Sequence, residues 1–138
     1  MNVEVNMWAV LLATLSSMAV GSVWYAKSVF GKTWMKLIKK NEKDLSSGAS
    51  MAIGGTLIAS FITAYVLAHV AFLSNNFFHN SFFQDTTTTA FWLWLGFTAT
   101  RFVTHDLFEH RPVTLTLMNS AHELVTVMVM AVIIGWLH

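Results

Sequence analysis

Residues 112–138 read PVTLTLMNSAHELVTVMVMAVIIGWLH, and this stretch decides the fold. It is long enough to cross a bilayer, whose hydrocarbon core of about 30 Å needs roughly 20 apolar residues in a helix. Its apolar residues do not alternate with polar ones, as those of a membrane barrel strand would. Pro112, the single proline of the chain, suits the first turn of such a helix, where no N–H is needed. Within the run stands Glu123, a carboxylate that hydrocarbon does not solvate.

Working outward, three more apolar segments of similar length appear, at about 4–25, 50–73 and 90–108, beside the one at about 112–137. The expected fold is therefore all-α, a single domain over 1–138 built as an integral membrane bundle of four transmembrane helices. Hydrophobic residues make up 55% of the 138-residue chain and charged residues 11%, about half the charged share of a soluble domain. The absence of cysteine excludes disulfides, thiol chemistry and cysteine-ligated metals. The flank Met1 to Asn6 carries Glu4 rather than lysines, and the apolar run continues to Val23. That is not the pattern of a cleaved signal peptide, so a retained first span is expected.

The basic residues orient the bundle. Lys27, Lys32, Lys36, Lys39, Lys40 and Lys43 lie between the first two spans, Arg111 lies in the turn before the last, and Arg101 lies within the third. The connection Ser74 to Thr89 has neither lysine nor arginine. By the positive-inside rule, 26–49 and 109–111 are cytoplasmic and both termini lie outside, in a cytoplasmic membrane of the bacterial inner-membrane kind. Trp8, Trp92, Trp94 and Trp136 fall near the expected outer ends and Trp24 and Trp34 near the inner one, as interfacial aromatics do. Ser46 and Ser47 are expected caps before the second span.

Between the first two spans, Phe30, Trp34, Leu37 and Ile38 recur at helical spacing, opposite Lys32, Lys36, Lys39, Lys40 and Lys43. This predicts an amphipathic basic helix at about 29–44, lying on the headgroups and attracting anionic lipid; its simplest role is to orient the chain. The outer connection, Asn75 to Asp85, carries Phe77, Phe78, Phe82 and Phe83. Such a loop dips into the headgroups, covers the bundle or touches a membrane-protein partner.

Ionisable groups inside a span cost several kcal/mol and default to a functional suspicion. Glu123 lies about 16 Å from Pro112 along a helix, near the midplane. Thr116, Asn119, Glu123 and Thr126 share a face, bordered by His122. On the third span Thr98, Arg101 and His105 form a matching stripe, and an Arg101–Glu123 pair is expected across the hairpin. The alternative is a seam that only glues helices. His69, above Tyr65, reads first as a hydrogen-bonded interface residue. His105 and Glu109 are spaced for a metal, but no HExxH or paired ExxH pattern joins them or His110, so neither metal nor cofactor is expected. Haem between His69 and His122 is weaker still. Small residues every four positions, Ala13-Ser17-Gly21 and Gly55-Ala59-Thr63, permit close helix packing, within one chain or in a dimer.

The run Gly21-Ser22-Val23-Trp24-Tyr25, then Phe30-Gly31-Lys32-Thr33-Trp34-Met35, resembles the opening of the membrane family called domain of unknown function 1761. Trp94-Leu95-Gly96-Phe97 and Asn119 to Glu123 also look like that family. The resemblance spans nearly the whole chain and implies a small multispan helical protein, without an activity.

Two functions follow as expectations. One is a small homo-oligomeric (dimeric) transporter or channel, with Arg101, His105, Asn119, His122 and Glu123 as its polar seam. The other is a non-enzymatic accessory subunit of a membrane complex. An enzyme on a lipid-soluble substrate, with His105 and Glu123 as acid–base groups, comes third. The lysines have a membrane explanation, so no nucleic-acid partner is expected.

Overall fold

The computed structural model describes residues 3–138; Met1 and Asn2, which begin the expected outer flank, lie outside them. Among the described residues every regular element is helical: α1 (Met7–Trp24), α2 (Gly31–Ile38), α3 (Glu42–Ser46), α4 (Ala49–Phe78), α5 (Phe82–Leu93), a π-helical segment (Trp94–Ala99), α6 (Thr100–Phe108) and α7 (Val113–Trp136). Three of these, α1, α4 and α7, are each long and apolar enough to cross a membrane. α5, the π segment and α6 follow one another without leaving helical backbone. They form one rod about 40 Å long at 1.5 Å per residue.

The long helices stand in a ring in which α1 and α5 each pack against both α4 and α7. Small residues fill its centre: Ala9, Ala13, Ala64, Ala68, Ala90 and Ala131 pack around Val10, Leu67, Met130 and Ile134. Ser17 Oγ and Ser60 Oγ meet at 2.8 Å where α1 crosses α4. The large apolar side chains point outward instead, among them Leu15, Ile58, Ile62, Phe97 and Leu117. A soluble protein does not expose so much apolar surface, whereas helices in lipid put small residues at their contacts.

The rim at the end that holds both termini is set by the N-cap Asn6, which donates to the Leu137 carbonyl, and by Phe82, stacked on His138 at 3.5 Å. Below it the helices diverge. Every buried residue of α4 lies between Ser60 and Ala71, none in its first eleven positions, and α6 buries only Asp106. Ala13 and Ser17 of the first small-residue stripe are buried, whereas Gly55, Ala59 and Thr63 are exposed.

Several expected boundaries move. The rod begins at Phe82 rather than at 90, because its polar start is satisfied internally. Thr86 and Thr87 return their hydroxyls to the carbonyls of Phe82 (2.7 Å) and Phe83 (2.9 Å), and Asp85 accepts Asn75 Nδ2 and Asn80 Nδ2, each at 2.9 Å. The expected Phe-rich loop thus shrinks to His79–Ser81, with His79 left-handed at φ 56°. Trp92 and Trp94 consequently sit three turns below the start of the rod instead of at its mouth. The basic segment breaks in two at Lys39 (φ 55°), where Asn41 and Asp44 form a capping box that starts α3. The N-cap of α4 is Gly48 at φ 89° rather than a serine, and Pro112 is the N-cap of α7.

One glycine holds α2 against the bundle. Gly31 N donates to Ala26 O at 2.9 Å, and a Cβ at Gly31 would collide with the Tyr25 carbonyl oxygen. Gly31→Ala is therefore expected to push α2 away and cost about 1–3 kcal/mol, the usual range for overpacking. A thermal melt followed by tryptophan fluorescence in detergent checks this.

Candidate functional site

The aromatic opening of the chain and the polar part of α7 are two halves of one cluster. Gly21 leaves room for the His122 imidazole, whose Nε2 lies 3.6 Å from where a Cβ would stand. Trp24 and Tyr25 flank the same ring, with centroids at 5.9 and 5.0 Å, so the His122 side chain is only 13% exposed. Tyr25 donates to Asn119 Oδ1 at 3.2 Å and carries Trp34 of α2 on its other side at 4.8 Å. Phe30 packs on Trp24 at 4.6 Å. The turn closed by Gly31 thus folds α2 back so that Trp34 covers Tyr25.

A family model described as "Protein of unknown function (DUF1761)" matches residues 8–135. The chain belongs to that family. No curated protein and no solved structure matches it. In this member of the DUF1761 family, Gly21, Trp24 and Tyr25 of the first resembling run meet His122 and Asn119 of the last.

Glu123 lies beside His122, Oε1 to Nδ1 at 3.3 Å, with 43% of its side chain exposed. That exposure faces two adjoining cavities. The first, of about 460 Å³, lies between α4 and the rod and is lined by Ile62, Thr63, Val66, Trp94, Phe97 and Glu123 among others. The second, of about 490 Å³, lies toward the α2 end, where Tyr25, Trp34, Thr56, Phe102, Asn119 and Glu123 form much of its wall. Together they make a cleft in the splayed half of the ring, with Glu123 common to both lobes. The hydroxyls of Thr56 and Thr63 are turned to the carbonyls of Ala52 and Ala59 of their own helix, at 2.7 and 3.0 Å. The α4 wall is therefore nearly apolar.

Arg101 and His105 do not join this site. Both are exposed and line, with Glu109 and Arg111, a neighbouring groove that meets the cleft along Phe97, Thr98 and Phe102. The expected Arg101–Glu123 pair is not among the ion pairs of the described residues, which are Lys27–Glu42 and Arg111 with Asp106 and Glu109; the neighbour of Glu123 is the His122 imidazole instead. The π segment is the reason. Eleven residues make about three turns of α-helix, so a regular helix would set Arg101 beneath the fully buried Ala90. A π turn takes up one more residue, and Phe102 and Asp106 inherit the inward positions. Trp94, at the start of that turn, donates its indole N–H to the Ser120 carbonyl at 2.9 Å.

Asp106 and Tyr25 are the polar groups that spacing alone did not single out. Asp106 is buried and accepts the Thr116 hydroxyl at 2.6 Å, so Thr116 serves the rod rather than the cleft. The stripe on α7 is thus divided among three neighbours: Thr126 turns to His122 at 3.5 Å, Asn119 and Glu123 face the cleft, and Thr116 faces α6. The knowable signal was Gly96 with Thr98, Phe102 and Asp106 every four residues, legible only once the π turn is allowed for. No three His, Asp or Glu side chains converge among the described residues, so His105 and Glu109 gain no third partner. His69 lies against Tyr65 at 4.8 Å, with its buried Nδ1 unpartnered.

Asp106→Ala leaves the Thr116 hydroxyl without its acceptor and should destabilise by about 1–3 kcal/mol, whereas Asp106→Asn, which keeps an oxygen there, should recover much of that. Paired thermal melts in detergent measure both.

Proposed function

We propose that the protein crosses the bilayer four times, with both termini outside, and works as a small transporter of a membrane-soluble ligand in the cytoplasmic membrane. The rod Phe82–Phe108 is the fourth crossing, and its length matches the task. The lysine-rich segment with α2 and α3 lies on the inner side, which is also where the cleft widens. Lys32, Lys36, Lys39, Lys40 and Lys43 then face the anionic headgroups.

The observation that carries the transport reading is the position of Glu123 relative to the two halves of the ring. A carboxylate near mid-membrane stands between the two lobes of the cleft, and beyond the farther lobe Val10, Met130 and Ile134 form an apolar seal. A site reached from one side and sealed from the other is what alternating access requires of one of its states. Arg101 and His105 lie outside that path, so the transport seam reduces to Asn119, His122 and Glu123, with Tyr25 added. A homodimer would close the lateral mouth of the cleft. The second reading is an accessory subunit that seats a partner's helix there, and the exposed Gly55-Ala59-Thr63 stripe favours it.

The chain has no cysteine, so single cysteines report access directly. In membrane vesicles, Thr56→Cys and Thr63→Cys should react with a charged, impermeant thiol reagent applied from the cytoplasmic side and not from the other. Met130→Cys, within the seal, should react from the outer side at a slow but finite rate as the outward-open state is visited. A Met130→Cys rate of zero from outside would favour the accessory subunit, and Thr63→Cys silent from both sides would remove the cleft.

A further inference from the structure

We infer that the cleft recognises a lipophilic organic cation, one whose positive charge is shielded by alkyl or aryl groups. This rests on the transport reading of the Glu123 site and names its substrate class. Three features of the walls carry it.

The first is charge. Glu123 is the one acidic or basic side chain lining either lobe, and its imidazole neighbour is pinned between Trp24 and Tyr25 on the α1 side. A carboxylate in a low-dielectric chamber attracts a cation and repels an anion far more strongly than it would in water. Arg101, the one arginine or lysine of the rod, is turned by the π segment into the neighbouring groove and lines neither lobe.

The second is the kind of contact on offer. Trp94 and Phe97 stand in one lobe, and Tyr25, Trp34 and Phe102 in the other, so aromatic side chains flank Glu123 on both sides. Aromatic faces attract cations that have shed their water, quaternary ammonium groups above all. A hard inorganic cation instead demands about six oxygen ligands. The polar groups at hand are the Glu123 carboxylate, the Asn119 amide, the Tyr25 hydroxyl already given to Asn119, and threonines, two of which are turned to their own helix. That set would leave a stripped metal ion or ammonium under-coordinated.

The third is size and access. Each lobe holds between about 460 and 490 Å³, inside the range of small-molecule sites. The opening lies between α4 and the rod, where exposed Ile62, Val66 and Phe97 edge it. A solute already dissolved in the inner leaflet reaches Glu123 sideways, without crossing water.

The test uses two ions of nearly the same shape and opposite charge, tetraphenylphosphonium and tetraphenylborate. Binding of each to the full chain in lipid nanodiscs is measured by equilibrium dialysis, with empty nanodiscs as the blank for lipid partition. The phosphonium should bind saturably and at least tenfold more tightly than the borate. Glu123→Gln should cut phosphonium affinity at least tenfold and leave the borate unchanged, and Thr63→Trp, which fills one lobe from an exposed position, should weaken the phosphonium. Equal binding of both ions, or no effect of Glu123→Gln in a variant whose melt is native, would overturn the charge class while leaving an open, thiol-reactive cleft intact. Saturable binding of neither ion to a chain whose Thr63→Cys is reactive overturns it as well. An Ile62→Cys disulfide between two chains that excludes the phosphonium would assign the cleft to a second copy. If Thr63→Cys is itself unreactive, the transport reading fails first.

Discussion

The lower half of the ring depends on one extra residue in one helical turn. Between Trp94 and Ala99 the rod widens to π geometry, and from there on its inward face is one position out of step with the face above. The Trp94 indole, donating to a carbonyl of α7, ties the widened turn to its neighbour. Without the slip, a guanidinium would stand under Ala90 and meet Glu123 across the hairpin. With it, Phe102 and Asp106 point inward, the arginine turns outward, and the carboxylate is left facing an aromatic chamber. Local helix geometry thus decides the electrostatics of the site.

The helical character of the chain and the approximate positions of its long helices were legible because hydropathy over some twenty residues is a strong signal. What escaped were features that hydropathy does not encode. Thr86, Thr87 and Asp85 read as loop residues, yet each satisfies its polar atoms close by, which lets the helix start two turns early. Lys39 and Asn41 read as members of one amphipathic helix, but the Asn41 side chain bonds better as a cap and breaks it. Arg101 and His105 were placed by assuming 3.6 residues per turn throughout, an assumption that fails at the π segment. Of the expected polar seam, Asn119, His122 and Glu123 do come together, because all three lie on α7, which is regular from end to end. The family resemblance is legible in residues that look unrelated in sequence and converge in space: Gly21, Trp24 and Tyr25 around His122, with Gly31 setting the turn that brings Trp34 in.

The distribution of side-chain size is the other physical signature of the molecule. Alanines and hydroxyl residues hold the helices together, and leucine, isoleucine and phenylalanine face outward. In water that arrangement would forfeit most of the hydrophobic stabilisation available to the chain. In lipid, large apolar groups gain little by burial, and close backbone approach between small residues contributes more. The upper half of the ring follows this rule closely. The lower half does not, and its α4 wall of small residues is left without a helix against it.

The pairing of α1 with α7 bears on how the molecule comes to be built. Of the four long elements α1 is made before the others and α7 after them, yet these two pair, and the His122 nest, the Asn6–Leu137 rim contact and much of the central packing wait on that pairing. Until α7 arrives, Tyr25 lacks its amide partner, and among the described residues Ser17 with Ser60 is the one side-chain hydrogen bond between α1 and α4. Contacts so distant along the chain form late and slowly. The early helices must therefore lodge in the bilayer as loosely associated spans, and the ring closes in a final step. Substitutions around His122 should then betray themselves as chains that insert correctly but never close, and that are lost to quality control rather than to misdirected topology.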